Sequence, residues 1–293
     1  MSDGVFLVSS AIHAKHGVYD TQTRLEQTIE TCKSIRNKCD ADIIVLDGGY
    51  QDITEKERDI LSPHIKRFYS FADAENVQQL QQVPNHDIVK NMFEIIVFGS
   101  FFDKVVEDGW REKYKRIFKM SGRYTLNDDF NYDRHMQATD KVVIRGPYTS
   151  QFNSNITGGV SLQYMSRLWS FDAFLLPYVR DLYTDMFNHM TDRLNAKGYI
   201  DIEHLLFHHL DPILIENIGK GGVLFGVWHS RANLASEYLG QQNPDLLADI
   251  DEIREIMADQ PVEIEVLENL EGQIQTKDGL KPSITLVLKA RKL

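Results

Sequence analysis

The stretch from Phe118 to Phe130, FKMSGRYTLNDDF, gathers side chains suited to holding an anion. Lys115, Arg116 and Lys119 frame Ile117 and Phe118. Ser121, Gly122 and Arg123 then interrupt a strand-like pattern that Tyr124, Thr125 and Leu126 resume. A glycine inside such a pattern marks close approach of a ligand or of another backbone. The hydroxyl, ammonium and guanidinium around it all donate to phosphate oxygens, the guanidinium bidentately. Asn127, Asp128 and Asp129 follow, and hard oxygens of this kind could hold a divalent cation such as Mn2+ or Mg2+ against the same phosphates. They are equally good turn residues for a strand leaving the core.

Histidines form the second candidate group. His204 and His208 lie one helical turn apart with His209 beside them, but the glutamate of a His-Glu-x-x-His motif is missing and no third ligand is evident, which argues against a metal there. His229 could line a pocket or sit on the surface. Trp169 and Trp228 could stack on a sugar ring, although aromatics of this kind more often fill a core.

These groups need elements to position them. Val5–Ile12 is a short apolar run typical of a buried parallel strand, followed by the polar loop His13–Asp20. From Thr21 to Asn37, residues Leu25, Thr28, Ile29, Cys32 and Ile35 recur at helical spacing, with Asp20 or Thr21 as the cap. Asp42–Asp47 is a second strand closed by Gly48 and Gly49, so the opening is a βαβ unit with parallel strands. A third strand is expected at Ile65–Phe71 after the polar stretch Asp52–Ser62, a long helix at Asp87–Val106 and a fourth strand at Arg116–Leu126. Ligands of open α/β sheets bind beyond the carboxyl ends of the strands. Ser9, Ser10 and His13, Asp47, and Ser121–Asp129 all fall at such ends.

The second half is less regular. Strands are expected at Lys141–Arg145 and Gly158–Arg167, where two glycines would let a backbone pass closely, and helices at Phe171–Ala196, Ile202–His209 and Pro244–Asp259. Val262–Leu267 and Ile284–Lys289 read as a closing strand pair around Lys277-Asp-Gly279. The expected organisation is an α/β fold with a nucleotide-binding half at 1–135 and a mixed α+β half at 136–293, the boundary falling near Asp133–Asp140.

Composition narrows the function. The chain has 293 residues, enough for a full core, with 42% hydrophobic and 26% charged residues, ordinary for a globular protein. A formal net charge of -11 argues against a broad electrostatic grip on nucleic acid or an anionic membrane and favours a small or neutral partner. The two cysteines, Cys32 and Cys39, suit neither a structural disulfide nor a metal site. Neither a signal peptide nor an apolar run of roughly 20 residues occurs, so the expected setting is reducing and cytoplasmic, where the sequon at Asn155 has no meaning.

The segments SSAIHAKHGVYDTQTRLEQTIETCKSIRNKCDADIIVLDGG, FKMSGRY and IDIEHLLFHHL resemble nucleotide-sugar-dependent glycosyltransferases of the GT-A type, closest to bacterial and bacteriophage members. The likeness covers roughly the first 130 residues and, more loosely, Asp201–Leu210. It implies a Rossmann-like, mostly parallel sheet flanked by helices that holds a nucleoside diphosphate sugar, probed along Ser9, Ser10 and the loop through His13 to Tyr19. Arg24 would be available to a phosphate, Asp47 would meet the base or ribose, and Ser121, Gly122 and Tyr124 would line the donor. The Asp-x-Asp metal motif usual in that fold is replaced by Ser121-Gly122-Arg123. Either Asp128 and Asp129 hold a metal a few residues late, or Lys119 and Arg123 stabilise the departing diphosphate, and the second is the favoured reading. Asp201 and Glu203 occupy the place of an acid pair, and either could deprotonate an acceptor hydroxyl; they also read as a helix cap and a first-turn glutamate. The implied activity is a hexosyl or pentosyl transfer from a UDP-sugar to a glycan precursor or, second, to a hydroxymethylated phage DNA base. A nucleotidyltransferase, which requires a metal, and a binding module without turnover are the alternatives.

Overall fold

The computed structural model describes residues 2–15, 19–150, 152–217, 223–224, 262–276 and 279–292. The chain divides into two compact units, Met1–Val227 and Trp228–Leu293. The first opens with strand β1 (Gly4–Ser10), helix α1 (Thr21–Lys38) and strand β2 (Asp42–Asp47). Asp20 caps α1 by accepting from the Thr23 amide, as the helical spacing predicts. The polar stretch that carried no expected element holds α2 (Glu55–Leu61), whose Thr54 and Glu57 form a reciprocal capping box. Strand β3 (Arg67–Ser70), α3 (Glu75–Leu80) and the long α4 (His86–Glu107) follow, then α5 (Trp110–Lys113) and β4 (Arg116–Ser121).

The expected fourth strand stops at Ser121. After Gly122 the chain leaves the sheet, and β5 (Thr125–Leu126) pairs antiparallel with β11 (Val223–Leu224) instead. Helix α6 (Tyr132–Gln137) leads to β6 (Val142–Ile144) and β7 (Tyr148–Thr149). The expected strand Gly158–Arg167 shrinks to β8 (Leu162–Gln163), paired with β7. Its glycines serve a different purpose from the close backbone passage expected of them. Gly158 has φ 74° and terminates the single turn α7 (Ser154–Thr157), while Gly159 has φ 96° with open space where a Cβ would stand.

Another correction concerns Phe171, expected to begin a helix. Leu168–Asp172 is strand β9, and α8 starts only at Leu176 and runs to Asn195. The apolar run LWSF is fully buried between two strands, where alternation is lost and a helix cannot be told from a strand by pattern. Helix α9 (Ile202–His209) lies where the sequence predicts it, and β10 (Ile215–Asn217) precedes β11.

The main sheet has seven strands in the order β10-β6-β9-β4-β1-β2-β3, with β9 antiparallel to β4 and β6 and the other pairs parallel. This is the α/β class expected. The sheet runs on through β6 and β9, across the segment where the sequence placed a boundary between halves. Side chains alternate along each strand. Val5 and Leu7 join Ile95, Phe98 and Phe102 of α4 and Tyr183 and Met186 of α8 in the large core. Positions 6, 8 and 10 point to the opposite face, where Ser10 meets Thr28 of α1. Arg116, expected beside the anion site, is buried there too; it donates to Ser170 Oγ and to the Ala138 carbonyl and so fastens α6 to the sheet. Trp169 is wholly buried, as the core reading of it requires.

In the second unit, β12 (Val262–Thr276) and β13 (Gly279–Lys292) pair antiparallel, over longer spans than the expected strand pair. His229, Trp228 and the helix expected at Pro244–Asp259 lie outside the described residues. Among the described residues, no helix is long and apolar enough to cross a membrane.

Candidate functional site

The chain runs outward from β1 to β2 and β3 on one side and returns to place β4 on the other. Such a reversal opens a crevice beyond the carboxyl ends of the strands that flank it. Parallel register pairs Leu7 with Lys119 and Ser9 with Ser121, so these four share the face turned to α4. The strand ends are bound tightly together. Gly122 donates its N–H to the Ser9 carbonyl at 2.8 Å, and a Cβ on Gly122 would lie 2.6 Å from that oxygen. The glycine is therefore required by the neighbouring backbone, the second of the two reasons its position suggested.

The described residues of the loop after β1, 11–15 and 19–20, are held from several sides. Asp47, at the end of β2, is buried and accepts the amides of Ile12 at 3.0 Å and Gly49 at 3.1 Å. Burial dominates these contacts and pushes its carboxyl up to about 6. His13 is buried as well, with Nε2 3.0 Å from Glu57 of α2 and Nδ1 3.2 Å from Gln51. Arg24 reaches back from α1 and donates to the carbonyls of Tyr19 at 3.1 Å and Ala11 at 3.4 Å, so it holds the loop expected to lie along a nucleotide. The Ser10 hydroxyl is 3.0 Å from that of Thr28, on the face away from α4. Asp47 and Arg24 thus hold the backbone that follows β1, and Ser10 ties α1 to the end of that strand.

Lys119 and Glu203 are brought together by a residue that sequence reasoning missed. Lys119 is wholly buried, and its ammonium meets Glu94 of α4 at 2.6 Å, the Ser166 carbonyl at 2.9 Å and the Ser121 hydroxyl at 3.2 Å. An ammonium has three N–H groups, and these partners match them. Lys119 thus fastens β4 to α4 and to Ser166. Ser166 in turn donates its hydroxyl to Glu203 Oε1 at 2.5 Å. Burial, reinforced by the charge of Asp201, raises the Glu203 carboxyl above its ordinary range.

Asp201 and Glu203 separate into different tasks. Asp201 caps α9, accepting the His204 amide at 3.0 Å and facing His204 Nδ1 at 2.5 Å. His204 is fully buried, and its Nε2 lies 2.6 Å from the Ser150 hydroxyl. The Ser150 hydroxyl also donates to the Phe152 carbonyl at 3.0 Å, which links His204 to the segment after β7. Oδ1 of Asp201 thereby holds the start of α9, whereas Glu203 faces the Ser166 hydroxyl. No signal in the sequence marks Ser150, Ser166 or Glu94, because each meets its partner only through the fold.

Around β4, Arg123 is half-buried and Tyr124 is buried, its hydroxyl accepting from Arg167 at 2.8 Å. Asp128 is fully exposed and ion-paired with Lys38 at the end of α1, and Asn127 accepts the amide of Asp129 as in an Asx turn. Asp128 is thus paired with a lysine at the solvent edge, and Ser121, Gly122 and Arg123 bring no carboxylate to the end of β4. Among the described residues, the one group of three metal-competent side chains close together is His189, His208 and His209. His204 is excluded from it by its bonds to Asp201 and Ser150.

No protein-family model and no curated protein sequence matches the chain. Among solved structures it is similar to core-mannan synthase A from Aspergillus fumigatus in its Mn/GDP form, at 13% identity over 74% of this chain and 72% of that chain, with a TM-score of 0.44. It is also similar to the galactosyltransferase LgtC in complex with donor and acceptor sugar analogues, at 10% identity over 72% of both chains, with a TM-score of 0.43.

Proposed function

We propose that the chain is a glycosyltransferase that moves a sugar from a nucleoside diphosphate sugar, of the UDP class, to a hydroxyl acceptor. The observation that carries this reading is the joining of a strand-end crevice at β1 and β4 to a proton-accepting glutamate through the contacts Lys119–Ser166–Glu203. The nucleotide lies along the loop from Ser10 to Tyr19, with Asp47 behind it. Arg123, at the mouth of the crevice, takes the diphosphate, a role a guanidinium fills bidentately. Glu203 accepts the proton of the acceptor hydroxyl as its oxygen bonds to the anomeric carbon, while the bond from that carbon to the diphosphate breaks and the nucleoside diphosphate departs. Lys119 holds Ser166, and through it Glu203, in place.

A glycan precursor is the acceptor class proposed, in a cytoplasmic setting; the net charge of -11 disfavours the DNA base considered beside it. The test is a thermal-shift panel of UDP-, GDP-, CMP- and ADP-linked sugars, each with manganese and with a chelator. A ligand at about 100 times its Kd adds roughly 2.7 kcal/mol to the folded state, and a rise of several degrees with a UDP-sugar is expected. A rise confined to another nucleotide class would replace the UDP assignment, a rise dependent on manganese would restore Asp128 and Asp129 as ligands, and no rise with any donor sinks the reading.

A further inference from the structure

Three imidazoles meet where α8 packs against α9. His189 on α8 and His208 and His209 on α9 each offer a ring nitrogen, and these atoms all lie within 4.8 Å of one another. His189 Nδ1 and His209 Nε2 are 3.0 Å apart. The rings stand nearly edge to face, with centroids 4.8 Å apart for His189 and His208, 5.1 Å for His189 and His209, and 4.8 Å for His208 and His209. Nothing in the donor site described above uses this cluster.

We propose that His189, His208 and His209 bind a divalent transition-metal ion, zinc in the first instance, with a fourth position left for water. Three neutral nitrogens select ions of this class over calcium or magnesium, which prefer oxygen. Zinc takes imidazole nitrogens at about 2.0–2.1 Å in a tetrahedron, which sets neighbouring ligand atoms about 3.3 Å apart. The His189–His209 separation of 3.0 Å lies just below that value, and the other separations are within 4.8 Å.

Coordination requires unprotonated imidazoles. Asp185, one turn before His189 on α8, and Asp192 and Arg193, about one turn after it, are the charged groups that act electrostatically on the cluster. His208 is exposed, which gives the fourth position access to solvent. The site would clamp α9 to α8, and α9 carries Glu203 in its first turn.

The experiment is a zinc titration of the full chain, prepared without a polyhistidine tag, in competition with a chromogenic chelator at pH 7.5. One equivalent bound with a Kd below about 1 μM is expected, and His208→Ala should weaken it at least tenfold. His208 is exposed, so that variant is expected to keep the metal-free melting temperature. His64→Ala, outside the cluster, should bind as the parent does. Cobalt(II) in place of zinc should give the intense visible absorption of a four-coordinate ion, lost in His208→Ala. A Kd above about 100 μM, or equal affinity in the parent and in the double variant His208→Ala with His209→Ala, would overturn the proposal and leave the three rings as a packing cluster.

Discussion

Glu203 and Asp201 stand two residues apart, yet their partners give them opposite predictions. Glu203→Gln keeps the contact with Ser166 but removes the proton acceptor. Turnover is expected to fall about 10²- to 10⁴-fold, with the donor-induced thermal shift unchanged; loss of both together would make Glu203 a binding residue. A base acts ionised, so kcat/KM should decline as pH falls through its folded-state pKa. Because that pKa is raised, the decline begins above the ordinary carboxylate range, and it should vanish in Glu203→Gln. Asp201→Ala instead strips a helix cap and strands a buried imidazole, which together cost about 2–4 kcal/mol of stability, measured by denaturant unfolding. Asp47 gives a pH signature of its own. Its carboxyl is raised from 3.8 to about 6, so the folded chain binds its proton more tightly than the unfolded chain. Its contribution is greatest below the unfolded value and is lost as pH rises toward and past 6, by about 3 kcal/mol. A stability curve for Asp47→Asn that falls between pH 4 and 6 as the parent's does would remove Asp47 as the cause.

At the scale of elements, the contact between β1 and β4 is the most exposed to a single substitution. Gly122→Ala sets a methyl 2.6 Å from the Ser9 carbonyl, a backbone atom held in the sheet. The strand ends must part or the loop must shift, at a cost of about 1–3 kcal/mol, and because Ser9 and Ser121 flank the crevice, donor affinity should drop in parallel. Full donor affinity in a destabilised Gly122→Ala would detach the crevice from this strand pair. The same elements mark how far the sequence could be read. Helices α1, α4 and α9 announce themselves by helical spacing and caps, and β1, β2 and β4 by short buried runs, so the switch point was legible to within a few residues. Strand β9 was hidden because a strand covered on both faces carries no alternation and runs straight into the apolar start of α8. Helix α2 was hidden by its polarity, although Thr54 and Glu57 stand at capping-box spacing. The contact between Ser166 and Glu203 spans 37 residues and depends on how β8, β9 and α9 are stacked, so no spacing in the chain could display it. The histidines show the same limit: His204 and His208 have the better helical spacing, but the N-cap Asp201 turns His204 inward and the third imidazole comes from α8.

On the scale of the molecule, what the proposed chemistry uses is concentrated in one unit. All seven strands of the sheet, the loop bound by Asp47 and Arg24, and the contacts from Glu94 through Lys119 and Ser166 to Glu203 fall within Met1–Val227. Among the described residues, the large core joining β1, β2 and β4 to α4, α8 and α9 lies there too. A unit with its own core folds as a cooperative whole. A chain ending at Val227 is therefore expected to melt in a single transition and to give the same thermal shift with the nucleotide sugar that binds the full chain. Transfer to an acceptor is the separate measurement. Donor binding retained with transfer lost would assign acceptor recognition to Trp228–Leu293, whereas loss of the donor shift from a cooperatively folded Met1–Val227 would show that the crevice at β1 and β4 is not by itself the donor site.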